Sequence, residues 1–101
     1  MSQEMACEFE EIEIEKDGAT YVCYGVCNVE YSMACEMHYN GKNMYWPEIF
    51  GYDHFKIRIC DVDGKDLEFL DVRHDHHIAQ LIIAKFDEEY IADKCSENYY
   101  G

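Results

Sequence analysis

Apolar and polar residues alternate along the first two thirds of the chain, and then the period changes. From Glu11 onward Ile12 and Ile14 fall on one side, and Glu11, Glu13 and Glu15 on the other. That period of two predicts a half-buried strand over residues 7–16 with an acidic outer face. Asp17-Gly18 supplies a turn, and 19–31 reads as a second strand with β-formers on both faces. Asn40-Gly41 marks another hairpin, between MACEMHY and KNMYW. Pro47 is expected to end that run and open an aromatic loop, PEIFGYD. Residues 52–61 return to strand, with Phe55, Ile57 and Ile59 alternating against Lys56, Arg58 and Cys60, and Asp63-Gly64 turns the chain again. Residues 67–72 fit either a short strand or an irregular connection to the next segment.

From His76 to Asp93 the period lengthens. Ala79, Ile82, Ile83, Phe86 and Tyr90 stand at i, i+3, i+4, i+7 and i+11, which stacks them on one helical face. Ile78 widens the stripe; Gln80, Asp87 and Glu88 point away from it. Asp71 or Asp75 is placed to cap the first turn. The three turn dipeptides stand 23 residues apart, but the flanking residues do not repeat. The pattern predicts an α+β fold: an antiparallel meander of about four to six strands with one C-terminal amphipathic helix packed on one face. At 101 residues this is one domain, 1–101, with loose ends expected at 1–6 and 95–101.

Charge alters the picture more than composition does. The chain has 22 Asp and Glu against 8 Lys and Arg, a net charge of −14. A small domain needs a net charge of only about 2 to 8 for solubility. The excess repels nucleic acid and anionic membranes as direct partners and suits a basic protein surface, metal cations or a high-salt setting. No run approaches the ~18 apolar residues of a membrane span, and the N-terminal stretch is acidic where a secretory leader is basic. A cytoplasmic location is expected, in which the six cysteines are free thiols.

Motifs for chemistry are sparse. Cys23, Cys27, Cys35 and His38 suggest zinc, but an extended 23–27 segment separates its ends by about 13 Å, and no CxxC pair is present. His74 and His77, with Asp75 or Asp71 as a third ligand, form a denser candidate for metal at a helix start, set against a merely solvated first turn. Asp61 to Asp66 hints at a calcium loop, yet glycine stands fourth and Val72 occupies the twelfth place. No nucleophile elbow, phosphate loop, dinucleotide fingerprint or zinc-protease helix occurs. No enzyme and no cofactor are expected.

The acidic surface remains. Glu11, Glu13 and Glu15 crowd the first strand, and Asp87, Glu88 and Glu89 crowd the helix end; Tyr45, Trp46 and Tyr52 offer aromatic contact area. Small size, strong acidity and the strand-then-helix order resemble the small phage-encoded inhibitors of host defence, the anti-CRISPR and anti-restriction proteins of the DNA-mimic type. That resemblance implies a monomeric or homodimeric binder in the host cytoplasm, which blocks a nucleic-acid-binding defence protein. Two alternatives stay open: a metal module built on 74–77, and a structural or assembly subunit that associates through 45–55.

Overall fold

A computed structural model describes residues 2–37 and 43–100, with the side chains of 36, 37, 43, 44 and 100 outside the description. Four strands run in chain order: β1 (Gln3–Lys16), β2 (Ala19–Met37), β3 (Asn43–Cys60) and β4 (Asp66–Val72). Two helices complete the chain, α1 (His77–Ile83) and α2 (Glu88–Tyr100). The sheet is an open antiparallel meander with spatial order β1-β2-β3-β4, so the fold is α+β. Two of the predicted turns have the expected backbone: Asp17 and Gly18 lie at φ 54° and 80°, and Gly64 at φ 88°. The Asn40-Gly41 turn falls outside the described residues, although Met37 pairs with Asn43 across the hairpin.

The strands are longer than the sequence suggested. Gln3 already pairs with Tyr31, so residues 3–6 belong to β1 and are not a loose end. Pro47 does not end a strand; it sits inside β3 opposite Met33. The physical reason is that β4 pairs only with Phe55 to Cys60, which leaves this end of β3 with a neighbour on one side alone. A residue without an N–H is tolerated on such an edge. Beyond Tyr31 and Ile49, β2 and β3 therefore run on as a two-stranded arm. The molecule is elongated, 54 × 23 × 20 Å, with a radius of gyration of 16.2 Å, against about 13 Å for a compact domain of this length.

One continuous helix was expected; the chain breaks it. Residues 84–87 form a turn, and Asp87 restarts the helix, its Oδ1 accepting from the N–H groups of Glu89 (3.1 Å) and Tyr90 (3.4 Å). The break shifts the apolar stripe. In α1 the buried residues are Ile78, Ala79 and Ile82, as the period required, but in α2 they are Ile91 and Cys95 while Tyr90 is exposed. Phe86, in the turn, enters a ring cluster with Phe9 (5.8 Å), Tyr52 (5.0 Å) and Phe55 (6.5 Å). Ile78, Ile82, Ile91 and Cys95 share one buried cluster with Cys7, Phe9, Cys23, Cys27, Val29, Tyr31, Phe55 and Ile57. Residues 95–100, expected as a loose tail, are the second half of α2. There Asn98 Nδ2 donates to the hydroxyl of buried Tyr31 (2.8 Å), which itself donates to Gln3 (3.2 Å). The cap of α1 is neither Asp71 nor Asp75: His76 Nδ1 accepts from Ile78 N–H at 3.1 Å.

Candidate interaction surface

Strand β1 is an edge strand, and its alternation sorts its side chains. Cys7, Phe9 and Ile14 are buried on one side, while Glu4, Glu8, Glu10, Glu11, Glu13 and Glu15 are all exposed. A bulge interrupts the pairing between Phe9 and Ile12 and puts Glu11 at φ 51°. Bulges turn a strand and end regular pairing, and charged edges discourage further strands from adding. Along β1, carboxylates on one face repeat every ~6.7 Å, against one phosphate per ~3.4 Å of axis on a DNA strand. The edge is thus a line charge of about half that density.

The helical turn comes back over this edge. Glu8, Glu10, Lys85, Asp87 and Tyr90 line one hollow with Phe9 and Phe86. The carboxylates that β1 shares with the helical region are therefore Glu8 and Glu10, whereas Glu13 and Glu15 lie opposite Val22 and Thr20, toward the first turn. Lys85 offsets part of the charge in the hollow. Glu88 and Glu89 lie exposed in the first turn of α2, where negative charge complements the helix dipole. Asp87 serves the cap.

The three aromatic candidates do not form one surface. Tyr45 stands opposite Cys35 and Trp46 opposite Ala34, so these neighbours point to opposite sides of the arm. They are 45% and 38% exposed, and Phe50, at 60%, lies nearby. Tyr52 turns inward against Phe86. Its hydroxyl is buried with no partner among the described residues, and burial, with Glu88 next in effect, pushes its pKa up to about 12.

The histidine segment is divided among structural tasks. His74 N–H donates to Asp53 Oδ1 (3.0 Å) and its Nδ1 lies 3.4 Å from the same oxygen; Arg73 Nη2 donates to Asp53 Oδ2 (3.1 Å). Asp53 also accepts from the N–H of His54 (2.9 Å), a residue held at φ 54° in a β3 bulge. These N–H groups, His54 first, hold the Asp53 carboxyl well below the usual range. His76 caps α1, and its ring stacks on His77 at 4.5 Å. His74 and Asp75 precede α1, so His74 and His77 do not share a helical face. Among the described residues no group of three or more His, Cys, Asp or Glu side chains is placed to hold a metal ion. His38 lies outside them. Asp61 accepts from the N–H groups of Asp63 and Lys65 (2.9 Å each), the geometry of a tight turn.

The face of the sheet away from the buried cluster carries what the sequence did not reveal. Val22, Tyr24 and Val26 line it along β2, Lys56 and Arg58 along β3, and Phe69, 70% exposed, along β4. Arg58 lies over the Tyr24 ring (4.8 Å) and 3.8 Å from Asp66. Alternation separated Lys56 and Arg58 from Ile57, but only the register shows which residues flank them. Among the described residues no helix is long and apolar enough to cross a membrane. No protein-family model, no curated protein and no solved structure matches the chain.

Proposed function

We propose that the chain is a non-enzymatic acidic binding protein that blocks a nucleic-acid-handling protein by occupying its basic groove, as a phage anti-defence inhibitor acting in the host cytoplasm. The observation that carries this reading is the edge strand itself, six glutamates along β1, every one exposed, met by Asp87 in one hollow. A row of carboxylates on an already ordered strand presents charge at a regular spacing with no backbone ordering on binding, and it speeds encounter with a cationic groove. The reading takes α1 and α2 as the cover of one sheet face, with β1 left as the free acidic edge.

The test is capture of partners from bacterial lysate across a salt series, with Glu11→Lys, Glu13→Lys and Glu15→Lys combined in one variant and Glu8→Lys with Glu10→Lys in another. Capture of a DNA- or RNA-handling complex by the wild type, lost with salt and in both folded variants, supports the reading. Retention by both variants rejects it. A second reading, an assembly subunit, is favoured by the projecting arm, which exposes Tyr45, Trp46 and Phe50. It requires binding that survives salt and fails in Trp46→Ala.

A further inference from the structure

The open sheet face has a charge order that answers itself. Its rows run across the strands: Glu8, Val26, Lys56 and Asp71 form one row. Tyr24, Arg58 and Phe69 form the next, and the β1 bulge with Glu10 and Glu11 reaches it between Phe9 and Ile12. Carboxylates thus lie along β1, a half-buried apolar strip along β2 and two cations along β3, at matching levels. Lys56 is exposed and makes no ion pair among the described residues.

We propose that this face docks a second copy of the chain, face to face about a two-fold axis parallel to β2, with Glu8 of each copy against Lys56 of the other. A two-fold contact sets a patch against itself, so it must be self-complementary. An axis over β2 lays β1 on the other copy's β3 and keeps every row at its own level. Val26 then meets Val26, Lys56 meets Glu8, and Arg58 meets the Glu10–Glu11 bulge. Two twisted sheets stack in this aligned way about 10 Å apart. The net charge of −14 opposes association, but at ~0.15 M salt it is screened beyond about 8 Å, while contacts at a drying centre are screened far less. With the axis over β2 three strands of each copy overlap, and at ~4.8 Å per strand and ~3.3 Å over six residue levels they give about 290 Å² per copy, at the small end of weak, reversible pairs.

Within one chain Glu8 and Lys56 stand two strand spacings apart, about 9.6 Å, and form no ion pair among the described residues. A charge swap therefore reports on contact between copies. Sedimentation of the full chain, up to roughly millimolar concentration, is compared for the wild type, Lys56→Glu, Glu8→Lys, the double swap, and Lys65→Glu as a charge-matched control in the β3–β4 turn. The expected result is a wild-type monomer–dimer equilibrium weakened about tenfold or more by either single change. The double swap restores it to within about threefold, and Lys65→Glu leaves it unchanged. Circular dichroism verifies that each variant is folded. A wild type that stays monomeric, single variants that dimerise undiminished, or a double swap that does not restore the pair would each overturn the proposal. So would loss of the dimer in Trp46→Ala alone, which would move the contact to the arm.

Discussion

Replacing Gly25 with alanine tests the packing of the sheet at its tightest point. A Cβ at this position would lie well inside contact with the backbone carbonyl oxygen of Lys56, and 3.0 Å from Cζ of Phe9. Neither neighbour yields freely. Lys56 O belongs to the backbone of β3, and Phe9 is buried against Phe55 and Phe86. Overpacking of this kind costs about 1 to 3 kcal/mol. Displacing β3 also strains the ladder around the Gly25–Ile57 pair, at about 0.5 to 1.5 kcal/mol per hydrogen bond weakened. Alanine recovers about 0.4 to 1 kcal/mol by restricting the unfolded chain. The net expectation is a loss of about 0.5 to 4 kcal/mol, centred near 2, against a total near 5 to 15 kcal/mol. Urea unfolding followed by circular dichroism reads it as a lowered midpoint with an unchanged slope. Gly51, with nothing within 4 Å of its Cβ position and no positive φ, is the internal control. Gly51→Ala should be neutral or stabilising by up to about 1 kcal/mol. If Gly25→Ala unfolds within about 0.5 kcal/mol of wild type, the close approach of β2 and β3 at this point is wrong.

Two further outcomes rest on ionisable groups. Because the folded Asp53 pKa is depressed, its stabilisation is complete above the unfolded value of about 3.9 and is lost as the pH falls from there toward the folded value. Asp53→Asn should flatten the acid limb of a stability-against-pH curve below about pH 4, and parallel curves for the two proteins would refute the assignment. Burial pushes the Cys23 and Cys95 thiols up to about 11 and Cys27 to about 12, with Cys7 and Cys60 also raised, while Cys35 is exposed. An aromatic disulfide reagent at about pH 8 should therefore titrate one thiol rapidly and the others only on unfolding. Rapid reaction of a second thiol would contradict the packing around Cys7, Cys27 and Cys95.

The alternation of Ile12 and Ile14 with Glu11, Glu13 and Glu15, and the glycine turns at 18 and 64, were legible because they are local: period and positive φ are properties of a few consecutive residues. The restart of the helix was half legible. Asp87 with Glu88 and Glu89 directly after it is a helix-start signal, but the uninterrupted apolar period through Phe86 and Tyr90 masked it. Pro47 misled because a proline excludes a central strand and not an edge, and edge status depends on where β4 ends. The candidate surface was legible as charge and not as shape. Glu8 and Glu10 join Asp87 only where the helical turn returns to β1, Tyr45 and Trp46 part because they are adjacent on a strand, and the flanking of Arg58 by Tyr24 and Phe69 needs the register. Each of these depends on residues distant in the chain.

Strand order equal to chain order has a consequence for how the protein is made. During synthesis each strand finds its only upstream neighbour already waiting, so the sheet can assemble hairpin by hairpin with short loop closures. Ile78, Ala79, Ile82, Ile91 and Cys95, which share the buried cluster, follow the strands, since α1 and α2 begin at His77. Until they emerge, Cys7, Phe9, Cys27, Val29, Phe55 and Ile57 form an apolar wall facing solvent, in a nascent chain still tethered to the ribosome. The glutamates of β1 are translated before β2 and β3 and border that wall from the start, a built-in guard against sticking to neighbouring chains during the interval before the helices follow.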